Sequence, residues 1–303
     1  MPRQTALTIG NFDGVHRGHA ALLSAARDAV GDEGRVVVLC FDPHPLTVLR
    51  PEAVPPRLTH FADRVRLLGE AGADTVVRVP PTPERLRQTP EAFVDEIVVE
   101  HRPVAIVEGR DFRFGRDRAG SIETLESLGG RHGFETIALD AVEVALDDQH
   151  VVPASSTITR WLLARGRVRD AANVLGRDYE LTGTVVSGDR RGRTIGFPTA
   201  NLEVGEQLLP GDGIYAGFAT RGDRTWPAAV SVGTKPTYGT HPRVCEAHLV
   251  GYDGPVDDYG WTIRVRLSVW LRGQIRYDDT DTLVAQLHRD VAATTATREA
   301  TVA

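Results

Sequence analysis

Two histidines three residues apart, His16 and His19, stand just after a short apolar run, where helical spacing begins. Residues three apart on a helix share a face, so both imidazoles can address one ligand. Gly18 lies between them and removes a side chain where a phosphate must approach the backbone. The turn that holds them opens at Asp13 and reads Asp13-Gly14-Val15-His16-Arg17-Gly18-His19. Free N–H groups and the helix dipole draw phosphate to a helix N-terminus. Imidazoles there can hydrogen-bond phosphate oxygens as charge builds during a transfer. The chemistry suggested is nucleotidyl transfer, although the spacing alone equally fits two histidines in a surface turn.

Three later segments offer complementary groups at the ends of other strand-like runs. Phe41-Asp42-Pro43-His44-Pro45 places His44 in a wall made rigid by two prolines. The segment from Gly109 to Gly115 mixes aromatics with guanidiniums and carries Asp111. Ser155-Ser156-Thr157 opens a helical run with Arg160 one turn on, a second helix start furnished with hydroxyls and a guanidinium.

In the second half, RGRTIGFPTAN (191–201) is the most informative run. Gly192 and Gly196 permit close backbone approach, and Arg193 can meet phosphate charge. Thr199 and Asn201 are two apart, so on a strand they face one side. A hydroxyl and an amide carbonyl suit Mg²⁺, a hard cation that takes oxygen ligands. Glu246, in VCEAHL, sits on an alternating run, where a carboxylate beside a substrate hydroxyl can act as general base for attack on a γ-phosphate. In isolation it reads equally as a surface glutamate.

The elements that must position these residues follow two periods. Strand-like runs at 6–12, 35–41, 74–79, 102–109 and 135–144 alternate with helix-like runs at 19–30, 61–72, 89–101 and 121–133. Apolar strands alternating with amphipathic helices predict a doubly wound parallel sheet, with ligands at the carboxyl ends of the strands. Thr89 and Pro90 form a helix start, and Gly72 is read as a C-cap. From Tyr179 the pattern becomes short polar–apolar strands separated by Gly, Pro and Asp turns, which predicts an antiparallel β-barrel closed by a helix over 281–296. A helical stretch over 156–176, broken at Gly166, connects the two. The expected domains are 1–176, α/β, and 177–303, a β-barrel with its C-terminal helix.

Composition limits the partners. With 35 basic and 41 acidic residues the net charge is −6, which gives no electrostatic case for nucleic acid. Lys235 and Met1 are the single lysine and methionine, a bias expected of a GC-rich genome rather than of chemistry. Cys40 and Cys245 lie far apart in apolar runs and read as buried hydrophobes, not as a disulfide or metal pair. No run has the apolar length of a signal peptide or membrane span, so a cytoplasmic location is expected. The sequence leaves open whether copies associate as a homo-oligomer.

GNFDGVHRGH, FDPHP, EGRDFRFG and SSTITR, in this order, resemble the FMN adenylyltransferase domain of bacterial bifunctional FAD synthetases. GRTIGFPTANL, PGDGIYAG, SVGTKPTYG, the EAH strand and DDYG resemble the riboflavin kinase domain of the same enzymes. The resemblance spans about residues 5–290. It implies that ATP serves both reactions, with riboflavin, FMN and FAD as substrates and products and Mg²⁺ as cofactor. His16 and His19 would engage ATP phosphates as the FMN phosphate attacks the α-phosphorus. Asp13, Gly18, Ser156, Thr157 and Arg160 would line the phosphates, Asp111 the adenosine or metal region, and His44 the FMN side. Thr199 and Asn201 would hold Mg-ATP, with Gly192, Arg193 and Gly196 beside it, and Glu246 would be the base. Pro80-Pro81, Pro153-Ala154 and Lys235 depart from the family pattern. The two proline-containing pairs are expected to affect flavin binding without touching the phosphate groups, which makes FAD formation the weaker activity. Other readings are retention of one activity alone, an HxGH transferase acting on another phosphorylated acceptor, and a flavin-binding regulator without catalysis.

Overall fold

Residues 3–188, 190–234, 243–255 and 257–297 are described by the computed structural model, the side chain of Arg191 excepted. Lys235 and most of its SVGTKPTYG segment lie outside the described residues. The chain folds as two compact units. The first takes residues up to Pro55, His60–Glu143 and Pro153–Ser156; the second takes Pro56–Thr59, Val144–Val152 and Thr157 onward.

In the first unit, β1 (Thr5–Gly10), α1 (Arg17–Val30), β2 (Arg35–Phe41), α2 (Leu46–Leu49), α3 (Phe61–Glu70), β3 (Thr75–Val79), α4 (Pro83–Leu86), α5 (Pro90–His101), β4 (Ala105–Gly109), α6 (Ile122–His132) and β5 (Glu135–Leu139) follow in order. The strands form a parallel five-stranded sheet in the order β3-β2-β1-β4-β5. Leu23 and Ala26 of α1 and Leu67 and Leu68 of α3 pack on one face with Ala6, Val36 and Val38. Phe93 and Ile97 of α5 and Leu125 and Leu128 of α6 pack on the other with Leu7, Val37 and Ile106. Helices on both faces require strands apolar on both sides, which is why these runs lack alternation. The order reverses between β1 and β4, and that switch point is where such sheets bind ligands.

Local chemistry sets most helix ends. Thr89 Oγ1 accepts from Ala92 N–H at 3.3 Å, Pro90 follows at the first helical position, and Gly133 closes α6 in the left-handed region. Two expectations shift. Ala71, not Gly72, caps α3, its N–H bonding Leu67 O at 3.0 Å while Gly72 turns the chain toward β3. The run 135–144 is not one strand. Asp140, a poor strand former, takes Arg110 Nε at 2.7 Å, and the chain pairs again only as β6 (Glu143–Ala145) with β7 (Val151–Pro153) in a separate two-stranded sheet.

Asp42 is 2% exposed at the end of β2, its carboxylate held by the buried Arg64 of α3 and by Arg78 of β3 at 2.5 Å. Arg64 Nη1 also donates to Asn11 O at 2.8 Å and Phe41 O at 3.2 Å, so one guanidinium ties the ends of β1 and β2 together. Removing one partner of a buried ion pair is strongly destabilising because the other charge stays buried. Arg64→Met is expected to destabilise this unit by about 3 kcal/mol, the low end of that range because Arg78 remains. Thermal unfolding followed by circular dichroism reads this as a melting point lower by roughly 5–10 °C.

In the second unit, α7 (Ser156–Leu163, begun in the first unit) and α8 (Val168–Leu175) flank the break at Gly166. β8 (Tyr179–Val186), α9 (Arg191–Thr194), β9 (Ala200–Glu203), β10 (Gly213–Arg221), β11 (Arg224–Gly233), β12 (Val244–Leu249), β13 (Thr262–Arg272) and α10 (Thr280–Ala296) follow. The six strands close a barrel in the order β10-β11-β12-β9-β8-β13 with antiparallel pairing. Cys245, Ala247 and Leu249 of β12 point inward and are buried, as are Val230 and Val232 of β11. Both cysteines are free and buried. Asp279 caps α10 by accepting from Thr282 N–H at 2.7 Å. No helix among the described residues is long and apolar enough to cross a membrane.

Candidate active sites

The loop from β1 into α1 is built under strain. Phe12, Gly14 and Val15 have φ of 49°, 85° and 42°, a region a β-branched valine rarely enters. Phe12 and Val15 are nonetheless buried, so packing holds the strain, as is common at functional sites. His16 caps α1, and its N–H donates to His19 Nδ1 at 3.2 Å. That bond fixes the tautomer: a neutral His19 carries its proton on Nε2, turned away from the helix as a donor. The two rings stack with centroids 3.6 Å apart, and Phe12 packs on His19 at 4.9 Å. A Cβ on Gly18 would come within 3.0 Å of His16 Nδ1 and 3.2 Å of the Ala154 carbonyl, so only glycine keeps both neighbours in place.

Ser156 Oγ donates to Asp13 O at 2.7 Å, joining the second predicted phosphate cradle to the first. Ala154 N–H donates to Val142 O at 2.7 Å, which sets its carbonyl against Gly18. The Pro153-Ala154 pair therefore borders the turn that holds Gly18. His44 Nδ1 accepts from Leu46 N–H at 3.1 Å at the start of α2, so a neutral ring carries its proton on Nε2. Asp111 is exposed on the turn after β4. Thr157 and Arg160 lie on α7, and Arg160 Nε donates to Pro56 O at 2.7 Å.

In the second unit, Asn201 pairs directly with Glu246, and Glu246 with Ser231, so the three stand side by side on the outer face of the barrel across β9, β12 and β11. Gly188 crosses so close to Asn201 that a Cβ there would lie 2.2 Å from its Nδ2. A cavity of about 430 Å³ opens over Glu246 and Ser231 beneath α10, lined also by Thr199, Gly192 and Arg190 and by apolar Leu283 and Leu287. A second, of about 260 Å³, is lined by Tyr252, Tyr259, Trp261, Asp258 and Gly196. Thr199 and His248 line both, so they form the partition. Asn201 opens instead on a third cavity with Ser187 and Arg243. Thr199 and Asn201 thus do not share one opening.

Arg193 makes a two-pronged pair with Asp257, at 2.8 and 2.7 Å, and it is Arg190 that lines the cavity of about 430 Å³. Sequence reasoning missed Ser231, His248, Gln274 and the Arg272–Asp290 pair. Asp290 of α10 is 4% exposed and accepts Arg272 Nε at 3.0 Å and Nη2 at 2.6 Å, with both residues on the cavity wall. Asp290 follows helical spacing from Leu283 and Leu287, the one signal that could have marked it.

The chain thus carries two candidate sites, one at the strained start of α1 beside the switch point of the sheet and one at Glu246 on the outer face of the barrel. Residues 1–155 match the FAD synthetase family and residues 175–297 match riboflavin kinase. The bifunctional riboflavin kinase/FMN adenylyltransferase of Escherichia coli K12 is 37% identical over 291 residues, covering 94% of this chain and 90% of that one. The enzyme of the same description from Pseudomonas fluorescens is 35% identical over 295 residues, covering 96% and 92%. A solved Streptococcus pneumoniae structure, described as a macrolide-efflux protein, shares the fold with a TM-score of 0.86 and 28% identity over 98% of this chain and 96% of that one. The chain belongs to the bifunctional riboflavin kinase/FMN adenylyltransferase family. Its barrel domain phosphorylates riboflavin to FMN, and its α/β domain adenylylates FMN to FAD.

Proposed function

We propose that adenylyl transfer takes place at the start of α1, with His16 and His19 as the catalytic donors. An FMN phosphate oxygen attacks the α-phosphorus of ATP, the bond to the β-phosphate oxygen breaks, and pyrophosphate leaves. His19 Nε2–H stabilises the charge that builds on those oxygens. The bond from His16 N–H to His19 Nδ1 carries this reading, because it aims the donor before substrate arrives. Asp13, Gly18 and Ser156 shape the phosphate side, Asp111 faces adenosine, and His44 faces FMN. For Thr157 and Arg160 the phosphate role rests on family resemblance alone.

In the barrel domain riboflavin occupies the cavity of about 430 Å³ and ATP that of about 260 Å³, with the phosphoryl group passing at Thr199. Glu246 takes the proton of the ribityl hydroxyl as it attacks the γ-phosphorus, and ADP leaves. Thr199 and Asn201 carry oxygens of the type Mg²⁺ takes, but they open on different cavities, so the two do not together fit one Mg²⁺ ion. Gly196 lines the ATP cavity, Gly192 and Arg190 line the flavin cavity, and Arg193 would reach the phosphates by exchanging Asp257 for one of them. The reactions are assigned to the cytoplasm.

Incubating the purified protein with riboflavin, ATP and Mg²⁺ and separating the flavins by chromatography tests both halves. FMN followed by FAD is the expected result. FMN without FAD removes the second activity, and neither product removes the reading. The Arg272–Asp290 pair fixes α10 over the flavin cavity, so Asp290→Asn is expected to raise the riboflavin KM about tenfold, with kcat changed far less.

A further inference from the structure

Glu108 is a buried carboxyl, 3% exposed, in the middle of the adenylyltransferase sheet. β1 pairs with β4 through Ala6–Ala105 and Leu7–Ile106, while it pairs with β2 along its whole length and β4 pairs likewise with β5. Beyond Leu7 and Ile106 the two central strands therefore part, and the sheet forks at its switch point. Ile9 N–H, on the fork, donates to Glu108 Oε1 at 2.5 Å, and Thr8 Oγ1 lies 3.4 Å from the same oxygen. Two residues beyond Ile9 the strained loop to His16 begins.

We propose that Glu108 is a positioning residue for FMN adenylylation, whose carboxyl closes the fork between β1 and β4 and sets the path of the backbone into the Asp13–His19 turn. The inference rests on the first domain's being the FMN adenylyltransferase. Burial is the main influence on this carboxyl and raises its pKa well above the ordinary glutamate value; the bonds from Ile9 and Thr8 oppose the rise, and the Asp111 carboxylate adds to it. Among the described residues, Asp111 is the one charged group that acts on it. β1 carries no ionisable side chain, the Glu135 carboxylate of β5 sits opposite Ala105 at the far end of the ladder, and the faces of α5, α6 and α1 against the sheet are apolar. Ionisation would put an unpaired charge in the sheet, so the geometry fails as pH rises through the folded-state pKa and is intact below it.

The test uses the full chain, with riboflavin phosphorylation as internal control. Glu108→Gln keeps an acceptor for Ile9 and cannot ionise, so adenylylation at neutral pH should stay within about twofold of the parent. The parent's loss of adenylylation on the alkaline side should be absent in Glu108→Gln, and the kinase profiles of the two should coincide. Glu108→Val removes the acceptor and should lower kcat for adenylylation about 10- to 100-fold with FMN formation unchanged. Glu108→Val at parental rates, or Glu108→Gln with the parent's alkaline loss, overturns the proposal. A parent that forms no FAD overturns both this proposal and the adenylyltransferase reading, whereas variants that match an active parent overturn the role of Glu108 alone.

Discussion

His19→Ala is expected to stop FAD formation almost completely while FMN accumulates. The loss should be about 100- to 1,000-fold in kcat for adenylylation, the usual effect of deleting one donor aimed at transition-state charge. The KM for ATP should move much less, because the bond to the developing charge matters most during transfer. Two structural effects accompany the chemical one. The His16 N–H loses its acceptor on His19 Nδ1, and the His16 ring loses its stacking partner. A lost cap costs about 1 kcal/mol, too little to unfold the unit. Riboflavin phosphorylation by the same preparation controls for folding. FAD formation within threefold of the parent would remove His19 from the mechanism.

Glu246→Gln should have the second large effect, in the opposite half. FMN formation is expected to fall about 100- to 10,000-fold, the range a positioned general base supplies. Conversion of added FMN to FAD should be unchanged. The amide preserves the shape of the side chain between Asn201 and Ser231, so riboflavin binding should be nearly preserved. A loss confined to KM would mean that Glu246 binds substrate without taking its proton. If His19→Ala blocked FMN formation and Glu246→Gln blocked FAD formation, the two sites would have been exchanged.

The parts of the fold legible in the sequence are those fixed by near neighbours. The apolar runs of β1, β2 and β4, the Thr89-Pro90 start of α5 and the alternation in VCEAHL each declare an element without knowledge of the rest. The histidine pair was legible because helical spacing alone puts His16 and His19 together. Other features depend on partners distant in sequence. That Arg64 would reach back to Asn11 and Asp42 has no local mark, nor does the meeting of Arg272 with Asp290. The fork has no local mark either. EGRDFRFG reads as a strand end, and only the register with β1 shows that Glu108 takes a backbone N–H. Arg193 was read as a phosphate ligand because it is a guanidinium beside glycines, yet its partner Asp257 lies 64 residues away.

The alternation of β11 and β12 has a practical consequence. Glu246, His248 and Ser231 project from one side of these strands, while Cys245, Ala247, Val230 and Val232 project from the other. Packing inside the barrel and chemistry outside it are thus written on interleaved positions of the same ribbon. A library that varies only the inward positions, at constant total volume, can tune thermostability with little change in turnover. One that varies only the outward positions can search for new flavin analogues on an unaltered scaffold. Each property can be selected while the other is held still.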